Sequence, residues 1–168
     1  DQLSELEQSP YPYVVKIQGK VKELIAQHRS SVFDTWLEQD KISCLPNYAL
    51  PVVISPTAFT SMVPKSLYTA EEDMNEYEFK VAWALSELEN VKWWHRNISR
   101  LGFQINGPVH AYPDIIVMLH SGKVLMVETK GDHLDNDESK EKSKIGDQWA
   151  RLAGKQYKYY MVFESKQP

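Results

Sequence analysis

The sequence predicts an α/β fold in which a mixed sheet is flanked by helices and preceded by a helical and extended connecting segment. One observation is a helix with an apolar stripe followed by a short strand. A second is a pair of nearly continuous apolar segments on either side of a tight turn, and a third is a closing helix and strand. The apolar character of the strands predicts a sheet that is covered on both faces. With 168 residues, a single domain with an appended segment can bury a core.

Residues 1 to 63 are predicted to form the connecting segment. The β-branched run over 13–17 predicts a short strand, because such residues favour extended backbone. Apolar residues then recur at helical spacing over about 20–41, which predicts a helix. Over 45–65, four prolines interrupt the apolar residues, which excludes a helix and predicts an extended linker.

Residues 64 to 168 are predicted to form the folded core. Thr69-Ala70-Glu71-Glu72 has the form of a capping box, so a helix is expected to begin there. Two strand segments flank Ser121-Gly122, which predicts a hairpin with a two-residue turn. The predicted core elements are a helix over 69–90, strands over 91–94, 112–120 and 123–130, a helix within 138–153 and a strand over 157–163.

The charge composition limits the classes of protein to be considered. A net charge of −4 and a pI near 5.7 give no global basic field, which counts against a stand-alone DNA-binding protein. They do not exclude a nuclease, because acidic metal ligands lower the total charge and a partner domain could supply phosphate contacts. The histidines lack H-E-x-x-H or comparable spacing, so a zinc enzyme is not expected.

Cys44 is the single cysteine of the chain, so an intramolecular disulfide is excluded and a reducing compartment is expected. The N-terminal residues lack the pattern of a signal peptide, and apolar stretches such as 115–119 are too short to cross a membrane. We therefore expect a cytoplasmic protein that does not insert into membranes. Because the chain begins with Asp1, we also expect a fragment of a longer polypeptide.

The motif that carries chemistry is Pro113-Asp114 followed by Glu128-Thr129-Lys130. Residues two apart in a strand share a face, so Glu128 and Lys130 project together. Counting from the predicted turn places Asp114 almost opposite Glu128. Two facing carboxylates repel unless a cation lies between them, and oxygen ligands suit Mg²⁺ or Mn²⁺. The backbone carbonyl of Thr129 is a further candidate ligand.

These residue types predict hydrolysis of phosphodiester bonds. The metal would bind a scissile phosphate oxygen and acidify a water, while Lys130 orients that water or stabilises the charge on phosphorus. Glu78 lies beside the apolar stripe of the first core helix, so it is a candidate third acid that ligates metal or organises water. His95 and Arg96 follow a predicted strand near this centre and are candidates for DNA phosphate contacts, or alternatively for a structural hydrogen bond to the adjoining loop.

An ordered set of motifs runs through the core. It comprises Lys65-Ser66-Leu67-Tyr68, Asn75 with Glu78, Trp93-Trp94-His95-Arg96-Asn97, Tyr112-Pro113-Asp114 and Glu128-Thr129-Lys130-Gly131-Asp132-His133-Leu134. The pair formed by the proline-aspartate and glutamate-threonine-lysine motifs resembles the PD-(D/E)xK nuclease superfamily. The wider set resembles the C-terminal endonuclease domain of type III restriction enzymes and related DEAD/DEAH helicase-nucleases, over about residues 64 to 163.

The resemblance implies a restriction-endonuclease-like core and Mg²⁺-dependent cleavage of double-stranded DNA. It also implies an ATP-driven helicase or translocase domain upstream in the same polypeptide. Much of the sequence recognition would come from a separate methyltransferase subunit. The chain has no P-loop pattern, so ATP would act only through a motor domain that is absent from this sequence.

Other interpretations of the same residues remain open. Taken alone, Glu128 and Lys130 are compatible with a solvated strand face that carries a weak ion pair. Glu78 is compatible with a helix-edge acid paired with a lysine. The alternative functions are a degenerate nuclease-like fold used only for docking or DNA binding, and a repair or phage-type nuclease.

The lysines of the second core helix also have two interpretations. They could follow a phosphate backbone, but acidic residues interleave with them, and the pattern favours a solvated helix face. These lysines are Lys140, Lys142 and Lys144.

Overall fold

The computed structural model describes residues 11–44, 48–58, 62–131 and 137–164. The chain divides into two compact units, Asp1–Ile42 and Ser43–Pro168. The end of the last predicted motif, residues 132–134, lies outside the described residues. None of the helices in the described ranges is both long enough and apolar enough to cross a membrane.

In the first unit, the described residues from Tyr11 onward form a long helix, α1 (Tyr11–Glu38). The strand predicted over 13–17 is therefore wrong, because this run is part of the helix. A strand must find a neighbour for its backbone hydrogen bonds, and among the described residues none pairs with this run. Val14, Ile17 and Val21 are also spaced by three and four residues, so the run continues the helical pattern that follows.

The second unit contains two helices and four strands within its described residues. In chain order they are α2 (Glu76–Glu87), β1 (Val91–Arg96), β2 (Ile115–Leu119), β3 (Val124–Lys130), α3 (Asp137–Ala153) and β4 (Tyr157–Phe163). The strands form one sheet in the order β1-β2-β3-β4. β2 is antiparallel to both β1 and β3, whereas β4 is parallel to β3. The predicted mixed sheet flanked by helices is confirmed.

Helix α2 begins later than predicted. Its N-cap is Asn75, whose side chain accepts a hydrogen bond from the Glu78 backbone, while the Glu78 carboxylate accepts one from the Asn75 backbone. The predicted capping box at 69–72 is wrong, because its two acids have other partners. Glu71 is buried beside His95, and Glu72 accepts hydrogen bonds from Thr57.

The predicted hairpin joins β2 to β3, but its turn has three residues rather than two. Leu119 donates its backbone N–H to the Lys123 carbonyl, and Gly122 donates to the Leu119 carbonyl. The residues His120, Ser121 and Gly122 therefore form the turn. Gly122 has a φ of 80°, a left-handed conformation that glycine adopts without a steric penalty.

Both faces of the sheet are covered, as the apolar strands predict. On one face, Ile115 and Val127 pack in a core with Ala82 of α2. On the other face, Ile116 and Met126 pack in a second core with side chains of α3. Neighbouring strand residues belong to different cores because side chains alternate across a strand.

The second unit begins at Ser43, earlier than the predicted start of the core at residue 64. The reason is that the proline-marked segment packs on the sheet domain. Val63 is a buried core residue, Leu50 packs against the α3-side core, and the Tyr48 ring meets the Phe103 ring edge-on. The described residues of the predicted linker therefore belong to the second compact unit.

Helix α3 approaches β4 closely at Gly146. A Cβ atom on this glycine would overlap the aromatic ring of Tyr159, so only a residue without a side chain fits there. Ile145, the preceding residue, is buried in the α3-side core. The helix is therefore held against the sheet by an apolar side chain and a close backbone contact.

Candidate functional site

The candidate site lies where one end of β1, the start of β2 and the end of β3 meet. In the register, Ile115 pairs with Arg96 on one side and with Val127 on the other. Asp114 directly precedes Ile115, and Glu128 directly follows Val127. Because antiparallel partners run in opposite directions, this register brings Asp114 and Glu128 beside one another at the same end of the sheet.

The Asp114 carboxylate is fixed by Thr129. Its Oδ2 atom accepts hydrogen bonds from the Thr129 backbone N–H at 2.7 Å and from the Thr129 hydroxyl at 2.8 Å. The Oδ1 atom has a longer contact of 3.4 Å with the Arg96 guanidinium. Since the Asp114 side chain is 20% exposed, Oδ1 is the oxygen that can accept a further ligand.

The Glu128 carboxylate is buried among donors and is only 4% exposed. Its Oε1 atom lies 2.8 Å from the Lys130 Nζ and 3.7 Å from the Lys142 Nζ. Its Oε2 atom accepts a hydrogen bond of 3.4 Å from the Tyr159 hydroxyl. Burial and the nearby Glu128 charge raise the pKa of Tyr159 above its ordinary value, so this phenol stays a donor.

Arg96 joins two of the predicted acids. Its guanidinium donates to Glu78 Oε1 at 2.9 Å and to the Asp114 backbone carbonyl at 3.0 Å. Burial, followed by the Asp114 charge, raises the pKa of Glu78, while the Arg96 charge opposes that rise. The structure thus places Glu78 within the cluster through Arg96, and no direct contact between Glu78 and Glu128 is formed among the described contacts.

His95 lies inside the protein rather than on a surface that DNA could reach. It is 3% exposed, its Nδ1 atom is 2.8 Å from Glu71 Oε2, and its ring meets the Tyr68 ring edge-on. This arrangement does not support the predicted phosphate contact by His95. A polar residue near the end of a strand gives the same sequence signal whether its side chain points inward or outward. The sequence therefore could not distinguish a buried His95 from an exposed one.

Sequence reasoning missed the role of Glu71, which is 2% exposed. One carboxylate oxygen accepts from the Ser66 hydroxyl at 2.7 Å, and the other accepts from the Arg96 backbone N–H at 3.1 Å. Glu71 therefore anchors the part of β1 that carries Arg96. No periodicity or motif distinguishes this acid from Glu72, because only the tertiary fold brings 66, 71 and 95 together.

Sequence reasoning also missed Lys142, which the alternating charges of α3 had assigned to a solvated face. Its side chain is 19% exposed and lies 3.7 Å from Glu128 and 3.2 Å from Glu138. Burial lowers the pKa of Lys142, but the carboxylates of Glu128, Glu138 and Asp114 outweigh burial and raise it overall. A signal was present: Lys142 precedes Ile145 by three residues and Trp149 by seven, so it belongs to the apolar stripe.

The residues fit a divalent cation in donor type. Asp114 Oδ1 and the Glu128 carboxylate supply oxygen ligands of the kind that Mg²⁺ prefers. The N–H of Thr129 points towards Asp114, and the carbonyl of a strand residue points to the same side as its N–H, so the Thr129 carbonyl also faces this end. Within the described ranges, however, no group of three or more His, Cys, Asp and Glu side chains is arranged to hold a metal ion.

The arrangement has the parts needed to bind and polarise an anionic substrate. Carboxylates at the adjoining ends of β2 and β3 lie beside cations from β1, β3 and α3. Three of the four predicted catalytic residues, Asp114, Glu128 and Lys130, lie at the adjoining ends of β2 and β3, and Glu78 joins them through Arg96. No protein-family model, curated protein or solved structure gives a match to this chain.

Proposed function

We propose that the chain is a metal-dependent endonuclease module that hydrolyses phosphodiester bonds of double-stranded DNA. The observation that carries the proposal is the meeting of Asp114 and the Glu128–Lys130 pair at one end of adjoining strands. A buried carboxylate beside an ammonium group, with a second carboxylate on the neighbouring strand, suits a reaction in which negative charge develops on phosphorus. An ion pair with only a structural role would not require Asp114 to lie beside Glu128 and Lys130.

In this proposal, Asp114, Glu128 and the Thr129 carbonyl hold Mg²⁺, with Mn²⁺ able to substitute. When bound, the cation supplies Lewis acidity to the phosphodiester and to its nucleophile. Lys130 orients the nucleophilic water or stabilises the charge that develops on the phosphoryl oxygens. Glu78 takes no ligand role of its own and acts through Arg96, which holds the Asp114 backbone in place.

The observed α/β sheet supports a restriction-endonuclease-like core as part of the proposal. Together with the motif resemblance, it leads us to propose the C-terminal cleavage domain of a type III restriction-type helicase-nuclease, working in the cytoplasm. An upstream motor domain would use ATP, and a methyltransferase subunit would supply recognition. Because the net charge is −4, we expect the isolated module to bind DNA weakly and in a salt-sensitive way.

One observation favours a second candidate, a non-catalytic nuclease-like fold used for docking or DNA binding. Lys130 already neutralises Glu128 at 2.8 Å, so this carboxylate has a partner without any metal. In the catalytic proposal the cation must displace that ion pair. In the non-catalytic candidate the ion pair is permanent, and divalent cations have no effect.

Nicking of supercoiled plasmid DNA separates these candidates. The native chain and Asp114→Asn are incubated with Mg²⁺, with Mn²⁺ and with a chelator, and conversion to open-circular DNA is measured. We expect metal-dependent nicking by the native chain and loss of nicking in the variant. Nicking that is absent from the native chain in both metals, or that is equal in Asp114→Asn, would overturn the catalytic proposal.

A further inference from the structure

We propose that Lys142 is a second phosphate-binding cation of the site, and that it contacts a non-bridging oxygen of the DNA phosphodiester. This inference rests on the proposed function and deepens it. The residue lies on α3, whereas the other cations of the site lie on β1 and β3. The phosphate would therefore be held between the sheet and the helix that crosses from β3 to β4.

The Lys142 ammonium group lies beside the buried carboxylate of the site. It lies 3.7 Å from Glu128 Oε1, the same oxygen that Lys130 approaches to 2.8 Å. Both ammonium groups therefore face one carboxylate oxygen from two different elements of the fold. A phosphate oxygen that takes the place of Glu128 in either ion pair would therefore be able to contact both ammonium groups after one lysine side chain moves.

The charge of the cluster around Glu128 also favours an anionic ligand once a divalent cation is bound. Among the described ion pairs its acids are Glu78, Asp114, Glu128 and Glu138, and its cations are Arg96, Lys130 and Lys142, so the formal charge is −1 before any ligand enters. A divalent cation would leave an excess of positive charge in a partly buried site. An anionic phosphodiester and a hydroxide nucleophile compensate that excess, and Lys142 is one of the cations that would face them.

Lys142 is not the main partner of Glu128, because its contact with this carboxylate is 3.7 Å and Lys130 stays 2.8 Å from the same oxygen if Lys142 moves. Its shorter ion pair, 3.2 Å, is with Glu138, whose side chain is 68% exposed. Solvent screens an ion pair whose carboxylate is this exposed, so the pair contributes little to stability. The four-carbon stem of lysine lets the ammonium group move while the helix stays in place. Lys142 is thus available to a phosphate in a way that a deeply paired cation is not.

The experiment measures DNA binding and cleavage for the native chain and three variants. Lys142→Met removes the charge, Lys142→Arg keeps it, and Lys123→Met is the control. Lys123 is an exposed residue that precedes β3 and lies roughly 23 Å along the strand from Lys130. Binding of a duplex DNA is measured with Ca²⁺ at several salt concentrations, cleavage is measured with Mg²⁺, and folding is checked by urea denaturation.

For Lys142→Met, we expect DNA affinity to fall about ten-fold near physiological salt, and the salt dependence of log K to lose about one unit of slope. We expect the cleavage rate at saturating protein to fall on the order of ten- to hundred-fold. Lys142→Arg should restore most of the slope and part of the rate. Lys123→Met should match the native chain in all three measurements.

Equal slope and rate in Lys142→Met and Lys123→Met would overturn the inference. A lower rate with unchanged salt slope and no rescue by arginine would also overturn it, because Lys142 would then act only by supporting Glu128. If the native chain binds DNA through Lys142 but does not cleave it, the phosphate contact holds and the proposed nuclease function fails. If it neither cleaves nor shows a Lys142-dependent slope, both fail.

Discussion

The Asp114 carboxylate accepts both the backbone N–H and the hydroxyl of Thr129, at 2.7 and 2.8 Å. One side chain thus continues the hydrogen bonding between β2 and β3 beyond the last paired residues of the hairpin. Its other oxygen lies 3.4 Å from the Arg96 guanidinium. One oxygen of this carboxylate therefore has a structural role, and the other is the one that we propose as a metal ligand. Substitutions can separate these two roles.

Asp114→Ala and Asp114→Asn should differ in stability but not in activity. Alanine leaves the buried Thr129 donors without a partner, which should cost about 1–3 kcal/mol of unfolding free energy. Asparagine keeps one carbonyl oxygen as an acceptor, so its stability should stay closer to the native value. Both variants lose the charge that we assign to metal binding, so both should lose plasmid nicking. Urea denaturation and nicking assays test the two effects separately.

Glu128→Gln should weaken the binding of Mn²⁺ and Mg²⁺ strongly, because the amide cannot replace a charged oxygen ligand. Isothermal titration calorimetry measures this directly. The matched control is Glu76→Gln on α2, whose side chain is 85% exposed and outside the site. Equal binding by the native chain and Glu128→Gln would remove Glu128 from the set of metal ligands.

Lys130→Met should lower the nicking rate by roughly two to three powers of ten, as expected when one preorganised electrostatic group is lost. Its stability should change little, because Lys142 and the Tyr159 hydroxyl remain beside Glu128. Nicking, thermal melting and metal binding are to be measured on the same protein. Native-rate nicking by a folded, metal-binding variant would show that Lys130 is not catalytic.

The double variant Lys130→Met/Lys142→Met tests the neutralisation of Glu128. Removing both ammonium groups leaves a buried carboxylate without an ion-pair partner, so the loss of stability should exceed the sum of the single losses by about 1–3 kcal/mol. Urea denaturation of the four proteins of the cycle measures this coupling. Strict additivity would mean that the two lysines do not share Glu128.

Glu71→Ala should be strongly destabilising, by about 3–5 kcal/mol, since it removes the buried partner of His95 and the acceptor for Ser66 and the Arg96 backbone. The neighbouring substitution Glu72→Ala is the control. Glu72 makes an exposed contact with Thr57, and its loss should cost about 1 kcal/mol or less. Similar denaturation midpoints for the two variants would contradict the anchoring role of Glu71.

Gly146→Ala and Gly19→Ala should have opposite effects. A methyl group at Gly146 collides with the Tyr159 ring and should cost about 1–3 kcal/mol through overpacking. Gly19 lies inside α1 with nothing within 4 Å of an added Cβ, so alanine should stabilise that helix by about 0.5–1 kcal/mol. Circular dichroism during urea unfolding can follow both changes. A neutral Gly146→Ala would show that α3 moves freely on the sheet.

The order and type of the core elements could be predicted because each has a local signal. β4 has the predicted bounds, and the predicted strands of the hairpin contain the observed ones, since apolar runs and turn residues lie next to one another in the chain. The strand predicted over 13–17 failed because a short β-branched run gives no information about whether a pairing neighbour exists. The start of α2 was predicted wrongly because two cap patterns, Thr69 to Glu72 and Asn75 to Glu78, lie close together, and the sequence does not show which of them the helix uses.

The residues of the candidate site could likewise be predicted only in part. Asp114, Glu128 and Lys130 could be placed together from strand periodicity and hairpin register, which depend only on sequence separation. Glu71 could not be found, because its partners come from loops and strands that only tertiary folding brings together. Lys142 was assigned to the wrong environment because the surrounding charges obscured its place on the apolar stripe of α3.

The close contact at Gly146 has an electrostatic consequence. Gly146 lies one helical turn after Lys142, so the two residues are on the same side of α3. Because no side chain separates the helix from the Tyr159 ring, the lysine one turn earlier is near enough to reach Glu128 on the sheet. Lys144, two residues further along, stays exposed on the other side. The absence of a side chain at Gly146 thus allows Lys142, and not Lys144, to contribute to the electrostatic field around the buried Glu128 carboxylate.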